Sequence, residues 1–308
     1  MSGNHRICVH PGLLCSILRQ YGANTGPAQQ FHQEALRKKT QREGRFSLSF
    51  PRHPLHVMMR PEASAPRHPF THHLKETIMQ IGLLLFPNLT QLDLTGPFEV
   101  FARMRGAQVH LIWKTTELVT CDRGLTMRPS VDFAHCPPLD VICVPGGPGQ
   151  IDLMDDEETL SFLRRQAETA QWITSVCTGA LVLGAAGLLN GYRATTHWAS
   201  HDQLAMFGAI PVHERWVIDR NRVTGGGVTA GIDFALKLAA LMQGEAAAQA
   251  IQLGIEYNPA PPFGAGSPEG ADPGVVQAVG EAMAPMLQKR LAASQRAAAR
   301  LRESATLQ

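Results

Sequence analysis

Three short runs in this 308-residue chain are apolar at almost every position, and each is closed by a turn. They are Gln80-Ile-Gly-Leu-Leu-Leu-Phe86 before Pro87-Asn88, Leu139-Asp-Val-Ile-Cys-Val144 before Pro145-Gly146-Gly147-Pro148-Gly149, and Trp172-Ile-Thr-Ser-Val176 before Cys177. A strand with one wet face alternates apolar and polar residues. A strand apolar on both faces has to be covered on both, as in a parallel sheet between two layers of helices. Val109–Trp113 reads as a further strand, Leu125 to Phe133 as a hairpin or edge excursion, and Gly191–Thr196, Trp216–Asp219 and Arg222–Gly225 as short strands, with a polar helix beginning near His201. Helices are expected after Asp93 or Thr95, either of which could cap one with Pro97 in its first turn, and over 157–169, 230–242, 245–256 and about 275–302. This alternation predicts an α/β fold with a mostly parallel sheet.

Charge divides the chain. Residues 1–76 hold 11 Lys and Arg against 4 Asp and Glu, whereas the remainder holds 17 against 22. The body is therefore mildly acidic and offers no electrostatic footprint for nucleic acid. The basic quarter also carries 8 of the 13 histidines and several prolines without sustained periodicity, a composition expected to stay disordered. It reads as a basic arm, as a targeting peptide, or as a segment ahead of the folding unit, with Met58, Met59 or Met79 as alternative starts. The expected organisation is an extension over 1–76, a domain over 77–262, and a loop and helix over 263–308 that packs on the domain or on a dimer partner. The six cysteines form no Cys-x-x-Cys pair and complete no zinc pattern, which fits reduced cytoplasmic thiols and no metal. No run of about 18 apolar residues is present to span a membrane.

Chemistry-bearing residues fall at the ends of the buried strands, where open parallel sheets bind ligands. Cys177 follows its strand with small neighbours at Ser175 and Gly179 and an apolar helical run beyond. That is the pattern of a strained strand-to-helix turn that projects a nucleophile. A thiol there faces a helix N-terminus, which favours the thiolate, so a lowered pKa is expected. The plain alternative is a small buried hydrophobe. Asp93 follows the first strand and would serve as a carboxyl in the same crevice or only as a helix cap. Gly146 and Gly147 would offer backbone N–H groups to a substrate, although the loop lacks the spaced glycines and Lys-Ser/Thr of a phosphate loop. The Thr178 hydroxyl would bind substrate or cap the helix. His197 and His201 would either approach Cys177 in space or sit as structural imidazoles.

Ile81-Gly-Leu-Leu-Leu-Phe-Pro87, Gln91-Leu-Asp-Leu-Thr-Gly-Pro97, Val141-Ile-Cys-Val-Pro-Gly-Gly147 and Thr174-Ser-Val-Cys-Thr-Gly179 resemble motifs of the DJ-1/PfpI superfamily. Ala194-Thr-Thr-His-Trp-Ala199, Gly208-Ala-Ile-Pro-Val-His-Glu-Arg215, Thr229-Ala-Gly-Ile-Asp-Phe-Ala-Leu236 and Glu256-Tyr-Asn-Pro-Ala-Pro-Pro-Phe263 extend the likeness toward its isonitrile-hydrating subgroup, from about residue 79 onward. The resemblance implies a flavodoxin-like (class I glutamine amidotransferase-like) sheet, a homodimer, and neither metal nor organic cofactor. It also implies a small-molecule isonitrile as substrate, hydrated to an N-substituted formamide. Subgroup roles carry over to Cys177, Thr178 and Asp93 as catalytic residues. Cys-Thr at the turn, in place of the Cys-His of protease-like and many deglycase-like members, counts against those activities. In the implied mechanism the Cys177 thiolate adds to the isonitrile carbon, and protonated Asp93 supplies the proton. The alternatives are a ligand sensor of the kind found in transcriptional regulators, lacking its helix-turn-helix pair, and an enzyme acting on another small electrophile.

Overall fold

The computed structural model describes residues 78–306; the expectation of disorder over 1–76 lies outside them. The first buried run forms β1 (Met79–Leu84) and leads into helix α1 (Gln91–Phe101). Next come β2 (Ala107–Trp113), a small hairpin of β3 (Val119–Thr120) and β4 (Thr126–Met127), and the edge strand β5 (Val131–Asp132). The second run forms β6 (Val141–Val144), followed by the single turn α2 (Gln150–Leu153) and by α3 (Glu157–Ala167). The third forms β7 (Trp172–Val176) and enters α4 (Gly179–Ala185). A separate pair, β8 (Arg193–Ala194) and β9 (Ile210–Pro211), brackets a 3-10 helix over Trp198–Phe207. Then follow β10 (Trp216–Asp219), β11 (Arg222–Gly225), α5 (Ala230–Gln243), α6 (Glu245–Gly254) and the long α7 (Pro273–Thr306).

The main sheet has seven strands in the order β10-β11-β7-β6-β1-β2-β5, parallel throughout except for the antiparallel edge pair β10–β11. Every residue of β6 is buried, as are all but the first of β7 and all but the first two of β1, so the three runs are covered on both faces over most of their length. The fold is α/β and flavodoxin-like, as the sequence predicts. The chain leaves β1 toward β2 on one side and returns to β6 on the other. This places a topological switch point at the carboxyl ends of β1, β6 and β7, where helix dipoles and loop N–H groups converge. Helix α1 lies close against α5: a Cβ on Gly96 would sit 3.2 Å from Ile232 and one on Gly231 3.0 Å from Pro97. That contact packs the second turn of α1 against the first turn of α5.

Local starts differ from the sequence expectation in two places. Helix α1 begins at Gln91 with Thr90 before it, so Asp93 and Thr95 lie inside the helix rather than at its cap, and Pro97 sits in its second turn. The segment near His201 is a 3-10 helix that starts at Trp198. From Arg290 onward α7 buries a face of Arg290, Ala293, Ser294, Ala297 and Ala298, while Val275, Val279 and Leu291 are exposed. No helix among the described residues is long and apolar enough to cross a membrane.

Candidate active site

Cys177 is the first of two residues, with Thr178, between β7 and α4, and has φ 53°. A left-handed backbone is costly for a residue with a Cβ and persists only where the surroundings enforce it. Here three contacts do so. The Cys177 N–H donates to the Gly225 carbonyl at 3.0 Å, and the Thr196 hydroxyl donates to the Cys177 carbonyl at 2.7 Å. Gly179 lies so close to the carbonyls of Val144 and Pro145 that no side chain fits, which lets α4 press onto the end of β6.

The glycine turn locks the two neighbouring side chains. The Gly146 N–H donates to Asp93 Oδ2 at 2.8 Å and the Gly147 N–H to Thr178 Oγ1 at 3.1 Å. A Cβ on Gly146 would fall 2.5 Å from the Thr178 nitrogen and 2.9 Å from Asp93 Oδ2, and Gly147 has φ 123° with its α-carbon against Thr90 and Leu89. Both positions therefore require glycine. Their N–H groups are engaged by protein oxygens, so they hold Asp93 and Thr178 in place rather than standing open to a ligand. Thr178 stands at the N-cap position of α4, but its side chain makes no capping hydrogen bond. Its oxygen accepts from Gly147, and its own proton has no protein acceptor among the described residues.

Asp93, Thr178 and Cys177 are 0%, 1% and 5% exposed, so the site is nearly dry. Burial raises the Asp93 pKa to about 7, with a smaller push from Asp122, against the pull of the Gly146 N–H and the Cys177 thiol. Its Oδ1 lacks a hydrogen bond of ordinary geometry, although the carboxyl and the thiol interact. Cys177 departs from the lowered pKa expected at a helix N-terminus. Burial, then the facing Asp93 carboxylate, push the thiol well above its ordinary value. The Thr178 N–H and the Arg290 charge pull it down but do not prevail. The sequence shows the helix end; it does not show that desolvation there is complete.

Among the described residues no histidine shifts the Cys177 thiol. His197 accepts from the Ala199 N–H through Nδ1 at 3.3 Å, and burial lowers its pKa to about 4, helped by Arg290. His201 donates Nε2–H to the Val212 carbonyl at 2.9 Å and stacks on His213. Neither forms a hydrogen bond with Cys177. Among the described residues no three His, Cys, Asp or Glu side chains gather in a way that could hold a metal ion. A cleft of about 440 Å³ runs along Thr196, His197 and Gly226–Thr229, adjoining the elbow without being lined by Cys177. Sequence reasoning missed Thr196, the Gly225 carbonyl and Arg290. The last was detectable as a charge at the spacing of a buried helical face, with Ala293, Ser294 and Ala297.

The DJ-1/PfpI family model matches residues 79–241, just over half of the chain and every element from β1 into α5. The chain belongs to the DJ-1/PfpI family. It is 57% identical over 223 residues to the isonitrile hydratase of Pseudomonas putida, a match that covers 72% of this chain and 98% of that protein. It is 32% identical over 180 residues to the HTH-type transcriptional regulator GbdR of Pseudomonas aeruginosa, covering 48% of the regulator. Among solved structures, a ThiJ/PfpI family protein from Pseudomonas syringae superposes with TM-score 0.69 at 43% identity, over 76% of this chain and 98% of that one. In this chain the elbow carries threonine after the cysteine and, beside it, an aspartate held by the glycine turn.

Proposed function

We propose that this protein is an isonitrile hydratase, a hydro-lyase that adds water to R–N≡C to give R–NH–CHO. The observation that carries the reading is the buried Asp93–Cys177 pair, an acid near pKa 7 facing a protonated thiol with no histidine between them. The near full-length identity to the Pseudomonas putida enzyme supports it.

The terminal carbon of an isonitrile accepts a nucleophile and a proton at the same atom. The Asp93 carboxylate takes the thiol proton as Cys177 sulfur attacks that carbon, and the resulting carboxylic acid returns the proton to it. The product of this step is the thioimidate R–N=CH–S–Cys177. Water then adds to the carbon with Asp93 as base, and the R–NH–CH(OH)–S–Cys177 adduct collapses to the formamide and the free thiol. Thr178 offers its hydroxyl proton to substrate or water, and Gly146 and Gly147 hold the two side chains in register. The pair reacts with one proton fewer than its fully protonated form, so no resting thiolate is needed. A pKa near 7 lets the carboxyl both take and give that proton at neutral pH.

The substrate is a small neutral molecule, the enzyme works in the cytoplasm as a homodimer, and neither metal nor organic cofactor takes part. The exposed first part of α7 suits contact with a second copy. Incubation of the protein with a simple alkyl isonitrile tests the reading. Accumulation of the matching formamide above background hydration is expected; its absence would favour a sensor role or another electrophile.

A further inference from the structure

The described residues include one buried cation beside the reacting thiol that the proposed chemistry leaves unused. Arg290, on α7, is 2% exposed. Its guanidinium donates to Gln150 Oε1 at 2.7 Å and to Ser200 Oγ at 3.1 Å, and it meets Met286 Sδ at 3.6 Å. All three partners are neutral. The neighbouring Arg296 and Arg300 of the same helix instead share Asp155. An arginine buried without a carboxylate is expensive to keep, because its hydration is lost and no opposite charge replaces it.

The two anchors locate its purpose. Gln150 opens α2 directly after the glycine turn that holds Asp93 and Thr178. Its amide Nε2 has no partner, so Arg290 is the one protein group that its side chain serves among the described residues. Ser200 lies in the first turn of the 3-10 helix, four residues past Thr196, whose hydroxyl holds the Cys177 carbonyl. One guanidinium thus ties together the loops on both sides of the elbow. The ionisable groups that feel its charge are Cys177 and His197, and His197 is held neutral. Arg290 lies beyond residue 241, where the family-wide domain ends, so the C-terminal helix adds to the site something that domain does not supply.

We propose that Arg290 is a positioning residue of the active site, clamping the glycine turn to the Thr196 segment and presenting an uncompensated positive charge to Cys177. Negative charge that develops on sulfur as the Asp93 carboxyl takes its proton is stabilised by a cation already in place, in a site where water does not screen it. This deepens the hydratase reading in that it needs Cys177 as the reacting thiol, but it can be tested without any isonitrile.

The test compares iodoacetate with iodoacetamide, two reagents of similar size of which the first is an anion and the second is neutral. Alkylation of Cys177 in the full chain is followed by peptide mass at pH 6, where Asp93 is mostly protonated. The iodoacetate-to-iodoacetamide rate ratio is divided by that of free cysteine, which cancels access and intrinsic reactivity. The wild type is expected to exceed free cysteine by about tenfold, the effect of one pKa unit of charge stabilisation. Arg290→Lys is expected to keep much of the excess, and Arg290→Met, which fills the space without charge, to lose it. An unchanged ratio in Arg290→Met that folds like the wild type by circular dichroism would overturn the proposal. Should that variant not fold, a wild-type ratio no higher than that of free cysteine would overturn it equally. Loss of hydratase activity with the labelling excess intact would count against the isonitrile reading alone.

Discussion

Strands β6 and β7 lie side by side, and each delivers a buried free cysteine near its carboxyl end. Cys143 is fully buried, and burial pushes its thiol up to about 12; Cys177 is 5% exposed and is also pushed well above its ordinary value. Neither depth nor acidity separates the two thiols. What separates them is backbone and company. Cys143 lies within a regular strand, while Cys177 sits one residue past the end of its strand at φ 53°, between the Asp93 carboxyl and the Arg290 charge. Asp93 acts on Cys143 only through its charge, whereas its carboxyl also interacts directly with the Cys177 thiol. On the proposed mechanism Cys177 is the nucleophile because it faces a proton acceptor, and it does not need to rest as thiolate.

The largest expected effect breaks the comparison directly. Cys177→Ala should abolish hydration, by about four orders of magnitude or more in kcat, with the fold intact by circular dichroism. Cys143→Ala should leave kcat within about twofold and lower stability to urea by about 1–2 kcal/mol, the cost of a small core cavity. Equal losses in the two variants would mean that the elbow confers nothing special.

Asp93→Asn comes next. It keeps an acceptor for the Gly146 N–H and removes the proton shuttle, so kcat should fall about 100- to 1,000-fold. Its stability should move the other way. The folded Asp93 pKa is raised from 3.8 to about 7, so the carboxyl favours folding below the unfolded value, and that contribution is lost as pH rises through 7. The stability of the variant relative to wild type should therefore increase between pH 5 and pH 8, by about 3 kcal/mol at most. Urea unfolding at the two pH values measures it; a constant difference would place the folded Asp93 pKa below that window, with no upward shift to account for.

The same group sets the pH profile. Since the carboxylate must accept the thiol proton, kcat/KM should fall about tenfold per unit below pH 7 and level off above it. A profile that instead declines above pH 7 would make protonated Asp93 the required form. The smallest effect is expected for Thr178→Val, which keeps the shape, removes the hydroxyl and leaves the Gly147 N–H without its acceptor. A loss of about 10- to 100-fold in kcat, with about 1–3 kcal/mol of stability, is expected.

The sheet was legible because its central strands are apolar on both faces, a signal that loops and surface helices do not imitate. Cys177 was legible from the small residues around it, and the convergence of Asp93, Gly146 and Thr178 on it followed from their places at adjacent strand ends. Three features were not. The place of Asp93 inside α1 was one: Asp, Thr and Pro all suit a helix start, yet α1 begins at Gln91 and carries Asp93 in its first turn. The depth of burial that reverses the thiol shift depends on α4, α7 and the 3-10 helix together, which no local pattern encodes. Arg290 sits more than 100 residues from Cys177 in a helix rich in arginine, where a solvated charge is the ordinary expectation.

The most direct test of the central claim is the mass of the Cys177 peptide during a single turnover with an alkyl isonitrile, quenched before formamide release is complete. The thioimidate route predicts the full mass of the isonitrile on that peptide, absent from the Cys143 peptide and decaying as formamide appears. Formamide forming at the wild-type rate in Cys177→Ala, with no added mass on the wild-type Cys177 peptide, would contradict it.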